Sequence, residues 1–295
     1  MPGQLCRIIL ISTALFLVGC QGEESSDQIQ ILVSVLPEKT FVEAVGGDRV
    51  RVMVLVPPGA GHEAIEPSPR EAIELTRAQV YFRIGAEFEE GWLERLRASN
   101  PNLRVVDLRK DIALRRLVEW SASDAHEHHA HGILDPHIWT DPLNVEIIAR
   151  VIRDELTQLD PDYAADYASR FETFAQSIRT LHEDILQQLS DCAGCSFLVF
   201  HPAWGYFADR YHLRQIPIEI EGKEPSAREL AAIIDLARAE GLKTLWAQPQ
   251  YAIRSATVVA EAIGARVILA DPLSENYFAE MRHVANLVSE QRTPP

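Results

Sequence analysis

Apolar and polar residues alternate over 29–36, the signature of a β-strand with two unlike faces. The period then changes to that of a helix over 37–45, which stops at Gly46-Gly47. A second strand covers 50–56 and is closed by Pro57-Pro58-Gly59. A helix over 68–76, a strand over 80–84, a helix over 88–98 and a strand over 103–108 follow. Strand and helix alternate with short connections, which predicts an α/β fold with a parallel sheet and flanking helices. The same alternation restarts later, with strands over 196–200, 216–220, 244–247 and 267–270 and helices over 203–211, 226–240, 253–263 and 274–290. Ser226 and Glu229 form a capping-box pair at the start of one of them.

Between these halves lie two helical stretches, 143–159 and 162–189, separated by Asp160-Pro161. In the second, Tyr163, Tyr167, Phe171, Phe174, Ile178, Leu181, Ile185 and Leu189 fall at three- and four-residue steps. That is one apolar stripe, expected to be core, on a helix roughly 40 Å long at 1.5 Å per residue. Such a helix can run along both halves as a stiff strut. The lobes are expected at 29–160 and 191–295, with 161–190 linking them.

The amino terminus changes the picture of where this fold works. Arg7 is the only charge before the apolar run 8–18, which is too short to span a bilayer but has the length of a signal-peptide core. Leu17-Val18-Gly19-Cys20 resembles a bacterial lipobox, so residues 1–19 are expected to be removed and Cys20 to carry lipid, with 20–28 as a polar tether. The formal net charge is −15, and losing Arg7 makes it −16. That argues against nucleic acid or an anionic membrane surface as partner and suits a protein handling cations. Cys192 and Cys195 remain, in Cys-Ala-Gly-Cys. They could close a small disulfide loop; a zinc knuckle lacks its second pair, so the pair is read as structural.

In parallel α/β sheets ligands bind beyond the carboxyl ends of strands. Four polar candidates sit there: His62 with Glu63, His137, His201 and Asp271. His137 stands between two Asp-Pro turns, with Asp135 and Asp141 near enough in sequence to orient its ring. Imidazoles and carboxylates from both halves could meet on one divalent cation, Zn²⁺ being the expected ion and Mn²⁺ the alternative if carboxylates dominate. A polar loop over 121–132 carries His126, His128, His129 and His131 and is expected to gather metal weakly.

At this point the chain resembles a family: the solute-binding lipoproteins of zinc and manganese ABC importers, the ZnuA/TroA type. The resemblance rests on Leu55-Val56-Pro57-Pro58-Gly59-Ala60, Glu66-Pro67-Ser68-Pro69, Gly85-Ala86-Glu87-Phe88-Glu89, Asp135-Pro136-His137-Ile138-Trp139, His201-Pro202-Ala203-Trp204-Gly205-Tyr206-Phe207, Glu221-Gly222-Lys223-Glu224-Pro225-Ser226 and Asp271-Pro272-Leu273, in that order. It implies two lobes of four-stranded parallel sheet, one long linking helix and a metal in the cleft between them. It carries ligand roles onto His137, His201 and Asp271. It implies a monomeric receptor handing its ion to a membrane permease, with ATP hydrolysed by another subunit, since no phosphate-cradling Gly-Lys-Ser/Thr loop is present.

One departure matters. Where the family has a histidine after Pro-Pro-Gly, this chain has Glu63, with His62 one residue early. Register favours Glu63, and both donors stay open. His62-Glu63-Ala64-Ile65-Glu66 also resembles half of a zinc-protease motif, but the second histidine and the helix that motif needs are missing. A secreted metallohydrolase is therefore the weaker reading, and no enzyme activity is expected. Nothing in the residue pattern argues for a surface adhesin.

Overall fold

The computed structural model describes residues 28–57, 59, 73–117, 134–219, 225–250 and 253–291. The expectations for Cys20, His62, Glu63, His126, His128, His129 and His131 lie outside these residues, as does most of the helix expected over 68–76. Among the described residues no helix is long and apolar enough to cross a membrane.

The first half contains β1 (Ile29–Val33), α1 (Leu36–Gly46), β2 (Val50–Val54), β3 (Val80–Arg83), α2 (Phe88–Ser99) and β4 (Arg104–Asp107). Its four strands are all parallel, in the order β2-β1-β3-β4. Two helices follow, α3 (Pro142–Leu159) and α4 (Ala164–Gln188). The second half contains β5 (Ser196–Val199), α5 (Gly205–Arg210), β6 (Arg214–Pro217), α6 (Ala227–Ala239), β7 (Thr244–Ala247), α7 (Ile253–Ile263), β8 (Arg266–Leu269) and α8 (Tyr277–Glu290). Its parallel sheet has the order β6-β5-β7-β8, the same winding as the first.

The largest core cluster runs without a break from Ile31 and Phe82 in one sheet, through α3 and α4, to Phe197 and Trp246 in the other. Smaller clusters fill the outer faces, one around Leu32, Tyr81 and Trp92, the other around Leu198, Ile233 and Leu245. Both faces of each sheet are therefore covered, as parallel sheets require. Tyr167, Phe171, Phe174, Ala175, Ile178, Leu181 and Ile185 line the buried stripe of α4. That helix packs on α1 and α3 in the first half and on α8 in the second.

Some boundaries differ from the sequence reading for local reasons. Tyr163 does not join the buried stripe. Pro161 opens a 3₁₀ turn, Pro161–Tyr163, and the Tyr163 ring faces solvent with the Arg49 guanidinium 4.0 Å from its centroid. β6 runs over Arg214–Pro217 rather than 216–220; it is an edge strand, which tolerates Pro217, and Ile218 N and Glu219 N still donate to Val199 O and Phe200 O beyond its end. α8 starts at Tyr277 rather than 274, since Asn276 supplies the cap by accepting from Ala279 N at 3.4 Å.

Candidate metal centre

His137 is held by the turn that precedes it. Asp135, with no exposed side-chain surface, accepts the His137 backbone N–H at 3.0 Å and sits 2.8 Å from its Nδ1, both through Oδ1. Its other oxygen accepts from Arg115 Nη1 at 2.7 Å. Burial alone would raise the Asp135 pKa; the hydrogen bonds from His137 and the Arg115 charge outweigh it and hold the carboxyl below its usual value. With Nδ1–H given to a carboxylate, the ring keeps its lone pair on Nε2, the arrangement that metal-binding histidines use. Asp141 does not orient that ring; it is the N-cap that Asp141-Pro142 predicts at a helix start. It caps α3 by accepting from Leu143 N at 2.9 Å and takes hydrogen bonds from Arg210 Nε and Nη2.

His201 leaves the end of β5 two residues beyond Val199. Its Nδ1 lies 2.7 Å from Glu219 Oε2, just past the end of neighbouring β6. Burial lowers the His201 pKa, helped by the nearby His137 and opposed by Glu219. The ring is therefore neutral at pH 7. The two imidazoles come from opposite halves of the chain, and their ring centroids are 5.3 Å apart. Their side chains are only 12% and 11% exposed, so an ion taken up between them would shed most of its water.

Asp271 follows the end of β8. Its Oδ1 accepts from Gln250 Nε2 at 2.8 Å and Leu273 N at 2.9 Å, and its backbone N–H is taken by Glu280 at 2.8 Å. It shares a small cavity with Trp139 and Trp204. Trp139, two residues beyond His137, donates to Pro272 O at 2.7 Å, so the histidine arm and the aspartate arm are pinned together. Among the described residues, no group of three or more His, Cys, Asp or Glu side chains is close enough to hold a metal. The structure thus brings His137 and His201 together, leaves Asp271 outside such a group, in the cavity with Trp139 and Trp204, and does not describe His62 or Glu63. Cys192 and Cys195 are not joined by a disulfide; their turn is closed by Cys195 N donating to Cys192 O at 2.9 Å.

Sequence reasoning missed Glu219 and Arg115. Glu219 could have been found from topology, as the carboxylate at the strand end next to His201. No local spacing points to Arg115, whose partners lie 20 and 94 residues away.

Two parallel four-stranded lobes on one long helix, with carboxylate-backed imidazoles where they meet, define a two-lobed α/β binding protein. The family model for ZnuA, zinc-uptake complex component A, periplasmic, matches residues 31–291, and the chain belongs to that family. A crystal structure of ZnuA is 37% identical and superposes with a TM-score of 0.83, covering 90% of this chain and 100% of that one. The zinc-binding protein AdcA of Streptococcus pyogenes serotype M3 is 24% identical over 281 residues, 86% of this chain; this chain spans only about half, 54%, of AdcA. The laminin-binding protein Lmb of Streptococcus agalactiae, described as bifunctional with adhesin and metal-transporting activity, is 25% identical with a TM-score of 0.75, covering 90% of this chain and 99% of that one.

Proposed function

We propose that this chain is the extracytoplasmic receptor of a divalent-metal ABC importer, binding zinc between its lobes and delivering it to a membrane permease. The observation that carries this reading is the pair His137 and His201, from opposite halves, with centroids 5.3 Å apart and each ring backed by a carboxylate at Nδ1. Two imidazoles this close, each with its Nδ1 facing a carboxylate, suit a shared cation of borderline softness. Asp271, on the segment that Trp139 pins through Pro272, supplies a third donor, and Glu63 or His62 a fourth from the segment beyond β2. The zinc names of the relatives support zinc over manganese.

Nothing in this set activates a nucleophile, and four protein donors would leave no open position for a catalytic water. The protein therefore carries metal and turns over no substrate. The lobes correspond to 29–160 and 191–295, with 161–190 as the strut, and one chain supplies both arms, so a monomer suffices. Cys20 anchors the chain through lipid at the outer face of the membrane. The histidine-rich stretch with His126, His128, His129 and His131 falls in sequence between Arg116 and Leu134, which pair as an isolated bridge, and it gathers metal weakly.

The test is metal analysis of the purified protein followed by zinc–manganese competition, with H137A and H201A alongside. The reading expects bound zinc in one equivalent or more, and loss of the tight site in both variants. Zinc affinity unchanged in both variants overturns it.

A further inference from the structure

We propose that Arg115 is a positioning residue that sets the spacing of the two imidazoles by tying the support of one arm to the support of the other. This rests on the ligand reading above.

The Arg115 side chain is 15% exposed and reaches both lobes. Its Nη1 donates to Asp135 Oδ2 at 2.7 Å, on the arm that orients His137. Its Nε donates to Asp209 Oδ2 at 2.8 Å, on α5, which begins four residues after His201. The guanidinium carbon lies 5.7 Å from the ring centroid of Tyr206, also on α5. The Tyr206 hydroxyl accepts from Arg115 N and donates to Asp135 O, each at 3.2 Å. Asp135 N in turn donates to Arg115 O at 3.0 Å. One residue thus touches the mount of each histidine through its backbone and its side chain.

Gly205 shows that this closeness is built in. It does not have a positive φ, so glycine is not needed there for backbone conformation. A Cβ at 205 would collide with Arg115 Nη1 and fall 2.8 Å from Asp135 Oδ2. The missing side chain is the space the ion pair occupies. Arginine suits the bridge because its planar fork sends N–H groups in separate directions, whereas lysine offers one compact charge. Without the bridge, each ring still has its carboxylate, but the two mounts can shift relative to each other, and a cation bound by both pays for that freedom.

The experiment measures zinc affinity by chelator competition and the visible absorption of the Co²⁺-loaded protein for R115Q, R115K, G205A and D209N. Oriented outer groups around metal sites typically contribute about 10- to 100-fold in affinity. R115Q and G205A are expected to lose about that much and to shift the Co²⁺ band, G205A doing so with every polar group still present. R115K recovers part of the loss, because it keeps the charge facing Asp135. D209N keeps the Asp135–His137 arm and speeds zinc release. If R115Q fails to fold, G205A and D209N still decide. Zinc affinity within twofold of wild type and an unshifted Co²⁺ band in G205A and D209N, while H137A and H201A lose zinc, overturn the role of Arg115. Wild-type zinc binding in H137A and H201A removes the ligand assignment and this inference with it.

Discussion

Glu219 Oε2 lies 2.7 Å from His201 Nδ1 because of strand register. Val199 on β5 pairs with Pro217 on β6, and the backbone bonds Ile218 N to Val199 O and Glu219 N to Phe200 O carry the pairing past the strand ends. Residues 201 and 219 therefore leave the sheet side by side. On the other arm, Asp135 reaches His137 within a single turn. Two different pieces of backbone geometry produce the same result, a ring whose Nδ1 faces a carboxylate and whose centroid lies 5.3 Å from that of the other histidine.

Removing the Glu219 carboxylate should loosen the His201 ring and lower its basicity. Glu219→Ala is expected to weaken zinc binding about 10- to 100-fold. Glu219→Gln should lose less, since its amide oxygen can still accept from Nδ1–H. Chelator competition at pH 7 measures both, and equal wild-type affinity in the two variants would show that the ring is oriented by something else.

Stability away from the site should depend on pH through Glu38. This side chain is fully buried at the start of α1, where Oε2 accepts from Ser34 N and Val35 N, each at 2.9 Å. Burial, and then the nearby Glu89 carboxylate, raise its pKa well above the ordinary glutamate range. The folded form then holds a proton that the unfolded chain releases. The unfolded state binds fewer protons in that window, so stability falls as pH rises from about 4.5 toward the folded pKa. Glu38→Gln keeps an acceptor for the two amides and removes the titration. Subtracting its urea midpoints from those of wild type across pH 4 to 8 should leave this downward slope; parallel curves would sink the assignment.

How much of this was legible depended on how local each cause is. β7 appears where its apolar run sits between Gly241 and Pro249, because the signals are adjacent. The His137 turn was legible for the same reason: Asp-Pro-His is a local device. The neighbouring Asp141 is legible as the cap of α3 but not as the partner of Arg210, which is 69 residues away and on another element. Pairings of that kind leave no periodic trace. The same holds for His201 with Glu219 and for Arg115 with Asp209, which follow from register and lobe contact. The stripe on α4 was read one step too far at Tyr163, because periodicity alone does not reveal that Pro161 makes the first turn 3₁₀.

The α4 stripe should behave as core. Ile178 has no exposed surface and lies in the cluster shared by both sheets. Ile178→Ala is expected to cost about 2–5 kcal/mol, the range for emptying a buried aliphatic site. Tyr163→Ala should cost no more than about 1 kcal/mol, the size of an exposed cation–π contact. Urea unfolding of the two variants checks the contrast, and similar losses from both would contradict the burial assignment.

Asp141 should separate capping from charge pairing in one position. It is 4% exposed, caps α3 and accepts from Arg210 Nη2 at 2.7 Å, joining the helix after the His137 turn to the end of α5. Asp141→Ala loses both functions. The cap is worth about 1 kcal/mol, and the ion pair adds about 1–3 kcal/mol, less than a fully buried pair because Arg210 is partly solvated. Asp141→Asn keeps the cap through Oδ1 but gives up the charge and puts an N–H group where Oδ2 accepted from Arg210 Nη2, so it should lose the salt-sensitive ion-pair part and keep the cap. Raising the salt concentration should narrow the gap between wild type and Asn while leaving the gap between Asn and Ala nearly unchanged. If the Asn and Ala variants unfold at the same urea midpoint, the cap contributes nothing and the whole effect belongs to Arg210.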